Sequence, residues 1–274
     1  HAPVAGLTAN YSAFAVHVRP GSSPGDAVDV KIDPPVDYLR VSNRAQTGSV
    51  RSRSTLSVDR KAGGTGESVT IDGVVPAGAP PRVFYRSVLD PVAYAGSVLR
   101  WQLESQGIEV AGRVRSGRIA PGAELLFSFE GRSLSEIVQL FVKHSNNSVA
   151  EALVKTLGRQ DSGEPGSWNE GVPALRQTFE SMGVFLDGSR FVDGSGLSYE
   201  NRVSPRTLVE ALSAARRSFR YGPELIAALP IAGQDGTLTR RTKQSRGRVR
   251  AKTGLLTRVT GLSGYAWTDD GEEL

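Results

Sequence analysis

Two short polar stretches carry side chains able to recognise and process a substrate. The first is Ser145-Asn146-Asn147. A hydroxyl and an amide two residues apart can donate and accept hydrogen bonds to one substrate when the residue between them points elsewhere. The second is Lys252-Thr253-Gly254, where an ammonium and a hydroxyl stand beside a glycine that lets a substrate approach the backbone. Such a set suits capture of a carboxylate. Each stretch also has a plain structural alternative. Ser145 would cap a helix with Asn147 in its first turn, and K-T-G would be a chance triplet in a strand.

The surrounding patterns say how these residues are held. Ser133 and Glu136 form an S-x-x-E capping box, followed by Leu134, Ile137, Val138, Leu140 and Phe141 at helical spacing. Val149, Ala150, Leu153 and Leu157 repeat with the same period, and Gly158 is the expected left-handed stop. Two apolar helices would thus fix the Ser145–Asn147 corner between them. Val249–Gly254 and Val259–Trp267 read as two strands with a short connection, which puts Lys252 on a strand. Further helices are expected from Asp90-Pro91 to Gly107, from Ser167 with Glu170 to Gly183, and from Ser204-Pro205. Ile108, Val110 and Val114 suggest one more strand, and Leu125-Leu126-Phe127 another. Residues 11–88 read as β-structure: Phe14, Val16 and Val18 alternate with small or polar residues, as do Val28, Val30 and Ile32, then Val69 and Ile71. Turns at Pro20-Gly21, Asp33-Pro34-Pro35 and Gly63-Gly64 punctuate them. The fold class is α+β, without regular βαβ alternation.

Composition narrows the chemistry. The 274 residues include no cysteine, which excludes disulfides and thiol chemistry, and only His1, His17 and His144, without metal-ligand spacing. Neither a metal nor a cofactor is expected. No apolar run is long enough to cross a bilayer, and His1-Ala2-Pro3-Val4-Ala5 is no signal peptide. The net charge of +5 favours anionic partners. Arg240, Arg241, Lys243, Arg246, Arg248, Arg250, Lys252 and Arg258 lie in a stretch with no acidic residue between Asp235 and Asp269. This is either an electropositive rim for an anionic peptide or polymer, or a solvated loop. It lacks the interleaved aromatics of a nucleic-acid surface, so no nucleic acid is expected.

Serine/lysine acyl enzymes that act on penicillin are built from S-x-x-K, S-x-N and K-T-G. With Ser145-Asn146-Asn147 and Lys252-Thr253-Gly254 in that order, the chain resembles the class C low-molecular-mass penicillin-binding proteins, the D-alanyl-D-alanine carboxypeptidase/endopeptidase family. Further stretches are similar: Ala150-Glu151 with Lys155-Thr156-Leu157-Gly158, Asp193-Gly194-Ser195-Gly196-Leu197-Ser198, Asn201-Arg202-Val203-Ser204-Pro205, and Pro230-Ile231-Ala232-Gly233 with Asp235-Gly236-Thr237-Leu238. The resemblance implies part of a penicillin-binding/serine β-lactamase-like (transpeptidase-like) domain over 87–274, preceded by an inserted β-domain over 1–86. It implies acyl transfer on peptidoglycan peptides ending in D-Ala-D-Ala, inhibition by β-lactams and an extracytoplasmic location. Ser145 would relay protons to the leaving group, Asn147 would bind the substrate amide, and Lys252 and Thr253, with Gly254 beside them, would hold the terminal carboxylate.

One departure matters. No serine stands three residues before Lys31, Lys61, Lys143, Lys155, Lys243 or Lys252, so these 274 residues hold no S-x-x-K. Arginine three residues after Ser57, Ser97 or Ser213 is no substitute, because it stays protonated. The expected nucleophile and general base are therefore absent from this chain. It reads as an internal piece of the enzyme, unable to acylate alone and needing the absent N-terminal segment as a partner. The alternative is a non-catalytic cell-wall peptide or β-lactam binding module.

Overall fold

The computed structural model describes residues 3–241, 243–268 and 270, with the side chain of Lys243 left out. His1 and the terminal Gly271-Glu272-Glu273-Leu274 lie outside the described residues. The chain divides into two compact units, one over residues 2–124 and one from Leu125 onward, apart from His1.

In the first unit, β1 (Ala13–Arg19) pairs antiparallel with β2 (Asp29–Asp33) on one side. Two short strands, β3 (Leu39–Asn43) and β4 (Gln46–Gly48), follow. β5 (Ser57–Gly63) pairs antiparallel with β6 (Gly66–Asp72), which pairs parallel with β3. β7 (Val74–Pro76) lies parallel to β4, and β8 (Arg82–Ser87) closes on the free edge of β1. The expected alternation is plain in β6, where Glu67, Val69 and Ile71 are buried in turn. Glu67 occupies a core position because its carboxylate accepts from the Tyr38 hydroxyl at 2.7 Å and from the Leu89 N–H. α1 (Pro91–Ser105) starts at Asp90, whose side chain accepts from the N–H groups of Val92 and Ala93, with Pro91 at the first helical position. It buries Tyr94 and Val98 in the same core as Phe14, Val16, Val69 and Ile71. That packing joins α1 to the first unit, which runs to Glu124.

The second unit is mainly helical. α2 (Leu134–His144) begins with a complete capping box between Ser133 and Glu136. α3 (Asn147–Ser162) is capped by the Asn146 side chain, which accepts from the Val149 N–H. α4 (Trp168–Ser181) starts at Ser167, and α5 (Pro205–Arg217) starts at Ser204 with Pro205 at its first position. α6 (Gly222–Ala228) was not foreseen from the periodicity; at seven residues it is too short to show one. β9 (Val249–Leu256) and β10 (Val259–Ala266) form an antiparallel hairpin.

Three expectations are corrected. α3 does not stop at Gly158 but runs to Ser162, where Gly163 supplies the left-handed cap with φ 76°. Gly158 serves packing instead: a Cβ there would lie 2.5 Å from the Gly171 backbone nitrogen of α4. Asn146, not Ser145, caps α3. The strands expected over 108–114 and at Leu125-Leu126-Phe127 do not form. Leu125, Leu126 and Phe127 are exposed and pair with no strand among the described residues, and an apolar run without a neighbouring edge has nothing to complete its ladder.

Candidate active site

The corner between α2 and α3 is set by one residue in an unusual conformation. Ser145 closes α2 in the left-handed region, φ 57° and ψ 51°, with its N–H on the Phe141 carbonyl. A non-glycine residue held there carries strain of about 1–3 kcal/mol, and such strain concentrates at functional sites. Because Asn146 turns its side chain onto Val149 as the α3 cap, Ser145 and Asn147 are left for other partners. Asn147, half-buried in the first turn of α3, has no side-chain hydrogen bond among the described residues.

The second stretch lies on β9, where Lys252 faces Ser263, Thr253 faces Leu262 and Gly254 faces Gly261 across the hairpin. The other edge of β9 is covered by residues 230–232, through Ala251 N–H to the Pro230 carbonyl (3.0 Å) and Ala232 N–H to the Val249 carbonyl (2.9 Å). This places Lys252 across from the corner. Its Nζ donates to Ser145 Oγ at 2.6 Å and to the Thr253 carbonyl at 2.6 Å. Burial disfavours the ammonium and lowers the Lys252 pKa from the ordinary lysine value. The Thr253 hydroxyl donates to Thr237 Oγ1 at 2.8 Å. Gly254 is exposed, and a Cβ on it would meet nothing within 4 Å, so the strand has open space beside it.

The structure thus brings Ser145, Lys252 and Thr253 into one hydrogen-bonded group, with Asn147 two residues from Ser145 and Gly254 next along the strand. Sequence reasoning missed the residues that hold the two halves. Lys143, one helical step before the corner, donates from Nζ to the Leu229 carbonyl at 2.8 Å and to Asp235 Oδ2 at 2.9 Å. Asp235 Oδ1 accepts from the Ile231 N–H at 2.7 Å. Burial opposes ionisation of Asp235, but the bonds from Ile231 and Lys143 outweigh it and hold the carboxyl below the ordinary aspartate range. It also missed Glu151, fully buried one turn beyond Asn147. That carboxylate accepts from Trp168 Nε1 (2.7 Å), from the N–H groups of Gly194 and Ser195, and from the Ser195 hydroxyl. It pins the 193–198 turn to α3, and Asp193 closes that turn by accepting from Gly196 N–H, Ser198 N–H and Asn201 Nδ2. The available signal was a charged residue within each apolar helical pattern, where burial demands a partner.

Among the described residues, no group of three or more His, Asp or Glu side chains could hold a metal ion. Arg240, Arg241, Arg246 and Arg248 are exposed, while Arg250 is half-buried and donates to the Ile226 carbonyl at 3.3 Å. The basic stretch is therefore partly structural.

The chain is 36% identical to a D-alanyl-D-alanine carboxypeptidase of Actinomadura sp. (strain R39) over 267 residues, 94% of this chain and 49% of that protein. It is 29% identical to carboxypeptidase DacB of Mycolicibacterium smegmatis, over 87% of this chain and 53% of the relative. It spans about half the length of these curated relatives. The fold matches a crystal structure of penicillin binding protein 4 (dacB) from Haemophilus influenzae, solved with a β-lactam, at a TM-score of 0.78 and 24% identity. That match covers 98% of this chain and 62% of the other. Since residues 1–274 match its family model along their whole length, the chain belongs to the D-Ala-D-Ala carboxypeptidase 3 (S13) family.

Proposed function

We propose that Ser145, Asn147, Lys252, Thr253 and Gly254 form the recognition and proton-relay half of a serine-type acyl-transfer site for peptidoglycan peptides ending in D-Ala-D-Ala. The observation that carries this reading is the 2.6 Å bond from Lys252 Nζ to Ser145 Oγ, joining two motifs 107 residues apart. Because Ser145 Oγ accepts from Lys252, its own proton is directed elsewhere and is available to a leaving amine. The lowered pKa of Lys252 eases return of a proton to Ser145 once that transfer has occurred. Lys252 and Thr253 supply the cation and hydroxyl for the terminal carboxylate, and the open space at Gly254 admits the peptide backbone. Asn147 presents an unengaged amide to the substrate amide.

In this reading the serine of an S-x-x-K segment, outside these 274 residues, attacks the penultimate D-Ala carbonyl while the lysine of that segment takes up its proton. The C–N bond to the terminal D-Ala breaks as its amine is protonated through Ser145. That segment is also the expected partner of this chain. β-Lactams would enter as mimics of the peptide terminus, and such a substrate places the protein outside the cytoplasm. No helix among the described residues is long and apolar enough to cross a membrane. The rival reading is a peptide or β-lactam binding module without turnover.

D-alanine release from a peptide acid by the assembly containing S-x-x-K separates the two. Ser145→Ala is expected to lower kcat by about 10²–10⁴-fold with KM little changed, the loss of a positioned proton-transfer group. Equal turnover by the wild type and the variant would contradict the relay, and no turnover by either would favour the binding module.

A further inference from the structure

We propose that the Lys143–Asp235 pair is a positioning strut that sets the gap between the Ser145 corner and the Lys252 strand. The inference rests on the reading of those two residues as one acyl-transfer site. Lys143 lies two residues before Ser145 and its side chain is only 14% exposed, so its ammonium needs partners; it finds them in the Leu229 carbonyl and the Asp235 carboxylate. The loop it grips is tied in turn to β9. Asp235 Oδ1 holds Ile231, which bridges to Arg250, and Pro230 accepts from the N–H of Ala251, the residue before Lys252. One residue beyond Asp235, the backbone of Gly236 lies so near the Lys143 carbonyl that a Cβ would stand 2.4 Å from it. Next along, Thr237 receives the Thr253 hydroxyl.

Two ties therefore cross from α2 to β9. The direct one, Lys252 to Ser145, exchanges donor and acceptor when Ser145 passes its proton on and takes one back from Lys252. It cannot hold the geometry during the step in which it changes. The Lys143–Asp235 tie touches no reacting atom and stays in place throughout. Lys143 and Asp235 are on this account positioning residues, not catalytic ones.

The test is amine acetylation of the chain followed by peptide mass spectrometry, with each lysine read separately. In the wild type, Lys252 should acetylate slowly against the exposed Lys31 and Lys61. In Lys143→Met, Lys252 should acetylate several-fold faster, because a widened gap opens its half-buried amine to the reagent. Lys155, held 4.2 Å over the Trp168 ring in the same unit, should not change. Lys143→Arg, which keeps the ion pair, should restore the slow rate. Should Lys143→Met lose its helical circular dichroism, Asp235→Asn replaces it, keeping the shape while removing the charge, with the same rise expected at Lys252. An unchanged Lys252 rate in a folded variant, or a rise shared by Lys155, would overturn the strut. Acetylation reads the surroundings of Lys252 without turnover, so a failure of the acyl-transfer reading would leave this result standing.

Discussion

Ser145 and Lys252 each accept an unfavourable local state. Ser145 is strained in the left-handed region, and Lys252 is drawn out of water to reach it. The second has a measurable consequence. A lysine whose pKa is lowered by folding binds fewer protons when folded than when unfolded, so its contribution to stability rises with pH. The rise begins at the lowered pKa and is complete near the unfolded value of about 10.4. Lys252→Met, which keeps length without charge, is expected to flatten this alkaline rise in denaturant midpoint. Equal alkaline slopes for the wild type and Lys252→Met would contradict the buried, Ser145-bound position. Both residues were legible from the sequence as candidates, because hydroxyl, amide and ammonium at these spacings suit carboxylate and amide recognition. Their mutual contact was not, since no local pattern encodes a pairing across 107 residues.

At the scale of elements, the helices around the corner announced themselves by caps. Ser133 with Glu136, Ser167, Ser204-Pro205 and Asp90-Pro91 all start helices where their side chains satisfy free N–H groups. The end of α3 was misread because Gly158 looks like a stop, whereas its lack of a side chain lets α4 approach. Gly171 makes the same contact from the other helix: a Cβ on it would stand 2.2 Å from the Val154 carbonyl. Gly171→Ala must push the two helices apart, and overpacking of this kind costs about 1–3 kcal/mol. The expected outcome is a lower melting temperature together with weaker Trp168–Glu151 contact, seen as a change in tryptophan fluorescence. An unchanged melting temperature would show that the helices separate without cost. Loops that carry no period, such as 229–238, were read only as a stretch of family likeness. Their role as the link between α2 and β9 depends on side-chain pairs that the sequence alone does not match up.

At the scale of the whole molecule, α+β was legible from the change of period at Asp90, from strands in residues 11–88 to helices and a final hairpin. The two absent strands were not, because Leu125, Leu126 and Phe127 have the composition of a buried strand but stand 78%, 86% and 79% exposed. Composition fixes what a strand could bury, whereas pairing depends on an available edge. Such a run of exposed apolar side chains is a surface for association. The proposed function rests on the claim that an S-x-x-K segment completes the site. Denaturing intact-mass spectrometry after incubation with benzylpenicillin tests that claim most directly, with the family's S-x-x-K segment supplied as a second polypeptide. The account predicts that the second polypeptide gains the mass of the drug, that this chain gains none, and that Lys252→Ala in this chain suppresses the gain. An adduct on this chain, or none on either polypeptide, would contradict it.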